Sequence, residues 1–581
     1  MRVTKHYRVC AVPAILSALP LAAAAYFPRS NASTCRLLPG DAGWPTENDW
    51  SQLNQTIGGK LIRGVPLAQS CYSPTVDADR DTCVKVREEW VTGDIYYEDP
   101  VNVMSPYWLN NSCSPYLEPN PSCTLGNIAV YAINVDGPET VAAGLKFARE
   151  RNIRLSIKNT GHDYIGRSNG QGSLALWTHN LKNMTFFNYS SPSYTGPAAH
   201  VGAGIQFFEA YKIAADNGFR IPGGYCPSVG ITGWTSGAGH GPLAASYGMG
   251  ADNVLEFEVV TADGRHLTAS ATQNQDLYWA LSGGGAGTYA VVLSLTTKVH
   301  PDGNTAGATL SFANTNPRTY WAGVAAFQKR LLTLNTIPGF ATSWGLDNQA
   351  FSLNVATLTD GSQADMEAAL KPFLQDLQKL NVSLTSYSTS LHSRFYDHYE
   401  AYTFPPEIYA TNSSLGGRLI QVTTIQNNLT GLIDVFRQIA TDADFPRNRI
   451  SAISLNVTHD RVGNKPDSNA VLPAWREALY TLNVGIGFDA DAPTSELRAV
   501  QAKVNAWQAL FTPLTPGGGG YMNEATFDDP TWKEDYFGAN YNKLLSIKRK
   551  YDPHFALWQH TSVGADAYWE PAADGRLCRV R

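Results

Sequence analysis

Basic charge is scarce in this sequence. Lysine and arginine number 44 against 50 aspartates and glutamates in 581 residues, a formal net charge of -6, which offers no basic face to a nucleic acid or an anionic lipid surface. Small-molecule partners are the expectation that follows. Long apolar runs are scarce as well. The one candidate, Val9 to Ala25, is shorter than the ~20 residues a bilayer core requires and is interrupted by Pro13 and Pro20. Preceded by Met1-Arg2-Val3-Thr4-Lys5-His6-Tyr7-Arg8 and closed by Ala23-Ala24-Ala25, it reads as a secretory signal over residues 1–25. No later stretch is long and apolar enough to span a membrane, so no membrane partner is expected. Internal repeats are absent, and the middle of the chain shows neither metal-ligand spacing nor a Ser/His/Asp motif. Cysteine is sparse, at eight.

What is present describes an ordered globular protein: 43% hydrophobic, 11% aromatic and 16% charged residues. The length exceeds one ordinary core, so two or more domains are expected. Residues 26–123, rich in Pro, Asn, Ser and Cys, read as an irregular amino-terminal region held by disulfides. At Asn127 the texture changes. Ile128 to Val135 is strand-like, Pro138 to Asn152 has helical spacing, and Ile153 to Lys158 is a second strand running into a glycine loop. A further strand ends at Gly204, Gln206 to Asn217 predicts a helix, and Asn253 to Val260 predicts a strand that turns at Ala262-Asp263-Gly264. This outlines an α/β nucleotide site over 124–303. Gly285-Ala286-Gly287-Thr288-Tyr289-Ala290 fits the loose G-x-G-x-x-A fingerprint. However, Val291 to Thr297 behind it reads as a strand, and that fingerprint requires a helix holding the pyrophosphate. A Rossmann site is therefore rejected. Over 304–515, the alternating segments Phe351 to Leu358, Ala452 to Thr458 and Ala478 to Val484, with the helical Ser362 to Leu380, suggest a separate α+β domain. Pro516-Gly517-Gly518-Gly519-Gly520 predicts a flexible junction to a carboxy-terminal segment over 516–581.

Two short stretches carry the chemistry. Asn159-Thr160-Gly161-His162-Asp163-Tyr164-Ile165-Gly166-Arg167-Ser168 and Gly223-Gly224-Tyr225-Cys226-Pro227-Ser228-Val229-Gly230 each set a nucleophile among glycines, where backbone approaches a cofactor closely. An imidazole nitrogen and a thiolate are nucleophilic enough to add to an electron-poor isoalloxazine near neutral pH. Alone, Gly-His-Asp is more often a solvent-facing turn, and Cys-Pro a disulfide half or a buried thiol. The pair, in this order, is far more specific. The loop from Asn159 to Gly166 can also present successive backbone N–H groups to a diphosphate, a nest needing no lysine. These stretches are joined by Ser236 to Gly241, Tyr247 to Asn253 and the carboxy-terminal Asn540-Tyr541-x-x-Leu544-x-x-x-Lys548-x-x-x-Asp552-Pro553. Together they resemble the berberine-bridge-enzyme-like branch of the vanillyl-alcohol oxidase and p-cresol methylhydroxylase superfamily, in its fungal secreted form.

The resemblance implies an α+β, two-domain FAD-binding fold of the p-cresol methylhydroxylase type. Residues 124–303 and 516–581 would form the FAD domain, and 304–515 a substrate domain over the flavin. It implies FAD attached twice, through His162 to the 8α-methyl carbon and through Cys226 to ring carbon 6. Cofactor contacts are implied for Asn159, Thr160, Gly161, Asp163, Tyr164, Gly166 and Ser168, for Gly230, Ser236, Gly237, Gly239, His240, Gly248 and Val254, and for Asn540 and Tyr541. Val229 takes the place that lines the approach of oxygen. The chain departs from the plant pattern at Trp234, where a histidine is usual, and at His240, where a tyrosine is usual. Glu524 replaces the tyrosine base of many plant members and is the candidate base. Strand alternation over Tyr521-Met522-Asn523-Glu524 would place Met522 and Glu524 on one face, and partial desolvation would raise the carboxyl toward the working pH. Tyr396, Tyr402 and His398 are reserve candidates.

With Cys10 lost with the signal and Cys226 on the flavin, six of the eight cysteines remain, an even number as an oxidising compartment requires. Short separations favour Cys71 with Cys83 and Cys113 with Cys123, leaving Cys35 for Cys578 among the fifteen pairings open to six. Sequons at Asn31, Asn54, Asn110, Asn183, Asn188, Asn381, Asn412, Asn428 and Asn456 fit a secreted glycoprotein. The expectation is a secreted, monomeric, metal-free FAD oxidase that takes hydride from an alcohol-type or otherwise activated C–H and reduces O2 to H2O2. A tailoring oxidase that closes a ring, a carbohydrate oxidase, and a flavoprotein with a binding role and negligible turnover are the alternatives.

Overall fold

The computed structural model describes residues 35–72, 76–116, 123–402 and 412–580; the signal segment and Asn31 lie outside them. Three sheets position the candidate site. In the first, β1 (Leu61–Arg63), β2 (Tyr131–Asn134), β3 (Arg154–Lys158) and β4 (Ser173–Trp177) stand in the order β1-β2-β4-β3, with β2, β4 and β3 parallel and β1 antiparallel. Helix Pro138–Glu150 makes the crossover between β2 and β3. It starts on a proline, whose missing N–H costs nothing in the first turn, and buries Val141, Leu145 and Ala148. β4 is buried at every residue, as a parallel strand covered on both faces must be. Chain leaving β3 and β4 emerges at the carboxyl ends of the parallel strands, the edge where open α/β sheets bind ligands.

The second sheet is antiparallel, ordered β5-β6-β10-β8-β9, from β5 (Met184–Ser190), β6 (Thr195–Gly202), β8 (Val254–Thr261), β9 (His266–Ser270) and β10 (Ala290–Lys298). A short pair, β7 (Phe219–Arg220) with β11 (His300–Pro301), lies beside it. β10 occupies the place where the rejected dinucleotide fingerprint would have needed a helix. Carboxy-terminal residues Met522, Tyr536, Phe537, Leu544 and Tyr551 share one apolar core with Val201, Phe257, Val259 and Leu295 of this sheet.

The third sheet has seven antiparallel strands, ordered β15-β12-β14-β13-β17-β18-β16: β12 (Thr305–Ala313), β13 (Phe340–Leu346), β14 (Ala350–Thr359), β15 (Leu384–His392), β16 (Ser413–Gln421), β17 (Asn448–Ser454) and β18 (Ala478–Gly487). Helices Pro317–Leu334, Gln363–Lys379, Val422–Ala440 and Thr494–Phe511 bury Phe327, Phe373, Phe436 and Trp507 in a common core with Trp344, Ile450 and Tyr480 of the strands. Alternation sends the neighbours of those strand residues to the other face, which in β17 means Arg449, Ser451 and Ile453.

Several expectations are corrected. The region 26–123 is not irregular throughout: helix Glu47–Thr56 is closed by a Thr46/Asp49 capping box, its Trp50 packs on Tyr131, and β1 joins the first sheet. β17 ends at Ser454, short of the expected Thr458. The glycine run is no flexible junction. Gly519 and Gly520 are buried, the Gly519 carbonyl accepts the Leu419 N–H at 2.7 Å, and the Gly520 N–H donates to the Asp535 carbonyl at 2.8 Å. The expected cysteine pairs Cys35–Cys578, Cys71–Cys83 and Cys113–Cys123 all stand at bonding distance, which leaves Cys226 free. Among the described sequons, Asn110, Asn183, Asn188, Asn381, Asn412 and Asn428 are exposed, whereas Asn54 and Asn456 are half-buried.

Candidate active site

A cavity of about 590 Å³ opens between the carboxyl ends of the parallel strands and the bare face of the seven-stranded sheet. The loop after β3 supplies Asn159, Thr160, Gly161, His162, Asp163, Tyr164 and Ser168 to its wall, and the second glycine loop supplies Tyr225, Cys226, Val229 and Gly230. Gly161 adopts φ +82°, a left-handed conformation that side chains resist, while a Cβ at Gly230 would press on the Asn159 amide, whose Nδ2 donates to Thr232 Oγ1 at 3.2 Å. The loops thus interlock through backbone that only glycine permits.

His162 and Cys226 meet over one serine. His162 Nε2 lies 2.9 Å from Ser228 Oγ, and Cys226 Sγ lies 3.6 Å from the same oxygen. Burial, reinforced by the charge of Lys158, pulls the His162 imidazole down to about 4, so at neutral pH it is the uncharged, nucleophilic form. Burial pushes the Cys226 thiol up, against the opposing pull of the Ser228 hydroxyl and the N–H groups of Ser228 and Val229. Lys158 itself is buried, donates to the carbonyls of Tyr96 at 2.9 Å and Asp99 at 2.6 Å, and is brought down by burial to about 7. Asp163 is committed within its loop: its carboxylate accepts from Arg167 Nε at 2.7 Å and from the Arg167 N–H at 2.9 Å, and Arg167 Nη2 reaches the Met522 carbonyl at 2.8 Å.

An acid-base pair lines the same cavity. Glu524 Oε1 lies 3.1 Å from His240 Nε2, and Glu524 Oε2 accepts from Asn483 Nδ2 at 2.9 Å. Burial alone would raise this carboxyl, but the charge of His240 and the hydrogen bonds from His240 and Asn483 outweigh it and hold it below the ordinary carboxylate range. The expected upward shift is therefore corrected. So is the local geometry: Tyr521 to Glu524 form a turn, with the Glu524 N–H donating to the Tyr521 carbonyl at 2.9 Å. That turn brings Tyr521, Asn523 and Glu524 to the cavity and sends Met522 into the core. The His240 ring is held edge-on by Tyr521 at 4.8 Å, and Trp234, at the other departure from the plant pattern, donates its indole N–H to the His240 carbonyl at 2.9 Å.

Not every expected contact is at the cavity. Ser236 lines it, but Gly166, Gly237, Gly239, Gly248 and Val254 stand behind the wall. Gly166 makes room for the Trp108 ring and Gly237 for the Asn523 amide. Asn540 donates to the carbonyls of Ala470 at 3.2 Å and Val471 at 3.1 Å, and the Tyr541 hydroxyl accepts the Gly564 N–H at 3.3 Å; both hold the carboxy-terminal helix in place. The reserve candidates Tyr396, Tyr402 and His398 sit on helix Phe395–Tyr402 away from the large cavity, with His398 Nε2 on Thr357 Oγ1 at 2.9 Å and the Tyr402 hydroxyl on Ser390 at 2.7 Å. Sequence reasoning missed Ser228, Asn483 and the sheet face that carries Ser343, Ser413, Arg449, Ser451 and Gly485 to the cavity. Alternation along β17 and β18 was the available signal for that face.

The cavity suits a large polar cofactor. Asn159 Oδ1, Tyr225 OH, Ser236 Oγ, His240 Nδ1 and Asn483 Oδ1 are buried without a hydrogen-bond partner, which is costly unless a ligand satisfies them. Donors, acceptors and an uncharged nucleophile grouped in this way fit the ring edge and ribityl chain of a flavin. The fold and this site define an FAD-linked oxidoreductase. Family models for "FAD binding domain" match residues 130–270 and for "Berberine and berberine like" residues 520–564. VAO-type flavoprotein oxidase VAO615 of Thermothelomyces thermophilus is 40% identical over 565 residues, covering 95% of this chain and 96% of the relative. Bifunctional decalin synthase calF of Penicillium decumbens is 40% identical over 567 residues, covering 95% and 96%. The crystal structure of VAO-type flavoprotein MtVAO615 from Myceliophthora thermophila C1 superposes with a TM-score of 0.87 at 40% identity, covering 94% of this chain and 100% of that one. The chain belongs to the berberine-bridge-enzyme-like, VAO-type family of fungal FAD-linked oxidoreductases, with the α+β two-domain FAD-binding fold.

Proposed function

We propose that this chain is a secreted oxidase that holds FAD through both His162 and Cys226, takes hydride from an alcohol-type or otherwise activated C–H, and uses O2 as acceptor to give H2O2. The observation that carries this reading is the meeting of His162 and Cys226 across Ser228 at the same cavity that the Glu524–His240 pair lines. Bound FAD would supply the hydride acceptor and pass the electron pair to dioxygen. Asn159, Tyr225 and Ser236 would hold it by the unpartnered atoms they turn inward. Glu524 takes the substrate's hydroxyl proton at its carboxylate; His240 and Asn483 keep that carboxylate ionised and aimed. The small residues of the seven-stranded sheet leave room for substrate, and Arg449, which has no ion-pair partner among the described residues, suits a substrate carrying an anionic or oxygen-rich group. The three cysteine pairs support an oxidising compartment.

Acid denaturation tests the attachment: flavin should stay with the protein, and tryptic peptides containing His162 and Cys226 should both carry it. Flavin released freely from the wild type would end this reading. A screen of primary alcohols, read as peroxide formed and as bleaching of the yellow protein that air reverses, tests the reaction; a protein bleached by none of them would favour the binding role. The second reading, a tailoring oxidase that closes a ring, is favoured by the 40% identity to a decalin synthase.

A further inference from the structure

We propose that Ser228 prepares both flavin attachments through one hydroxyl shared between the two nucleophiles. This rests on the bicovalent reading above. Ser228 is 2% exposed, with its Oγ 2.9 Å from His162 Nε2 and 3.6 Å from Cys226 Sγ. Its backbone is clamped on both sides. The Ser228 carbonyl accepts Gln206 Nε2 at 2.7 Å, the Phe208 N–H donates to the Pro227 carbonyl at 2.9 Å, and the Phe207 N–H donates to the Val229 carbonyl at 3.1 Å. The first turn of helix Phe207–Asp216 therefore fixes where the hydroxyl points.

A serine hydroxyl has one proton to donate, and a neutral imidazole carries one N–H. Two chains of hydrogen bonds can run through all three groups. In one, Nε2–H donates to Oγ and the Oγ–H donates to the Cys226 sulfur; this leaves the lone pair on Nδ1 and steadies the charge that develops on sulfur as the thiol proton departs. In the other, the thiol donates to Oγ and the Oγ–H donates to Nε2, which puts the proton on Nδ1. The first chain readies both nucleophiles at once, and the second readies neither. His162 is then linked through Nδ1. When Nδ1 bonds the 8α carbon of FAD, a methyl C–H and the imidazole N–H are lost: two protons leave, the C–N bond forms, and the electron pair passes to the ring and on to dioxygen, which becomes hydrogen peroxide. The Nε2 proton leaves through Ser228 Oγ. When the sulfur bonds ring carbon 6, the ring C–H proton and the thiol proton are lost with the same electron balance.

Wild type, Ser228→Ala and Ser228→Thr are compared as full chains by mass spectrometry of flavin-bearing peptides after acid denaturation, with circular dichroism as the measure of folding. Wild type should carry both links, Ser228→Ala should show a doubly linked fraction at least tenfold lower, and Ser228→Thr, which keeps the hydroxyl, should restore it. A flavin-independent arm uses His162→Ala produced under riboflavin starvation, so that Cys226 carries no flavin; adding Ser228→Ala there should shift the pH midpoint of Cys226 alkylation by iodoacetamide upward. Full double attachment in Ser228→Ala, or failure of Ser228→Thr to restore it, overturns the proposal while leaving the bicovalent reading intact. Wild-type protein lacking one link overturns both.

Discussion

Glu524 is a half-buried carboxylate whose neighbours keep it charged, and this separates it from a base tuned by desolvation alone. Because its pKa is held below the ordinary carboxylate range, the ionised form persists as pH falls through that range. The anaerobic rate of flavin reduction should stay level from neutrality down to about pH 5 and decline only below the ordinary glutamate value of about 4.3. A decline centred near pH 6 in stopped-flow traces would mean that another group titrates. Glu524→Gln keeps the size but removes the basicity, and its single amide oxygen can accept from only one of His240 and Asn483. It should lower the reduction rate by roughly 10² to 10⁴ with both flavin links intact; a variant that reduces at the wild-type rate moves the base elsewhere. Val229 raises a second question at this scale. It lines the cavity three residues after Cys226, and Val229→Leu should slow reoxidation by air far more than reduction by substrate, as monitored by return of the oxidised flavin spectrum.

At the scale of elements, the seven-stranded sheet divides its labour by alternation. Its helix-covered face buries Trp344, Ile450 and Tyr480, and the opposite face presents Ser343, Ser451 and Gly485 to the cavity. Arg449 lies two residues along β17 from Ser451, about 7 Å at the usual strand rise, and Ser451 pairs with the Asn483 that holds Glu524. Arg449→Gln should therefore raise KM at least tenfold for a carboxylate-bearing alcohol and leave kcat, and the KM of its methyl ester, close to wild type. Equal KM changes for acid and ester in steady-state peroxide assays would remove Arg449 from substrate recognition. A minority of this sheet's strands were legible, because a period of two shows within eight residues: β14 and β18 contain the alternating runs Phe351 to Leu358 and Ala478 to Val484. Their order was not legible. β16 pairs with β18 and β18 with β17, across intervening helices, and such pairings are set by packing between distant segments. The loops around His162 and Cys226 announced themselves through residue type. The partner that sets the charge of Glu524 did not, since His240 lies 284 residues away, and four residues from Tyr521 to Glu524 are too few for a strand pattern to be told from a turn.

At the scale of the molecule, Cys35 and Cys578 lie 543 residues apart and close nearly the whole described chain into one loop. Opening it with Cys35→Ser and Cys578→Ser together should cost about 2–5 kcal/mol, measured as a lower midpoint of chemical unfolding. The flavin links should persist, because neither cysteine lines the cavity; an unchanged midpoint would mean that the hydrogen bond from the Arg36 N–H to the Leu577 carbonyl and its neighbours suffice to hold the two ends.

The tie between Arg167 and the Met522 carbonyl bears on the order in which the protein is made. The loop that offers His162 emerges early in synthesis, but the turn that braces it, with the Glu524 carboxylate, follows some 355 residues later. A nascent chain stopped before Tyr521 has both nucleophiles and no finished cradle. Capture of FAD should therefore wait until the chain beyond Tyr521 has been made, and a product truncated before Tyr521 should be colourless.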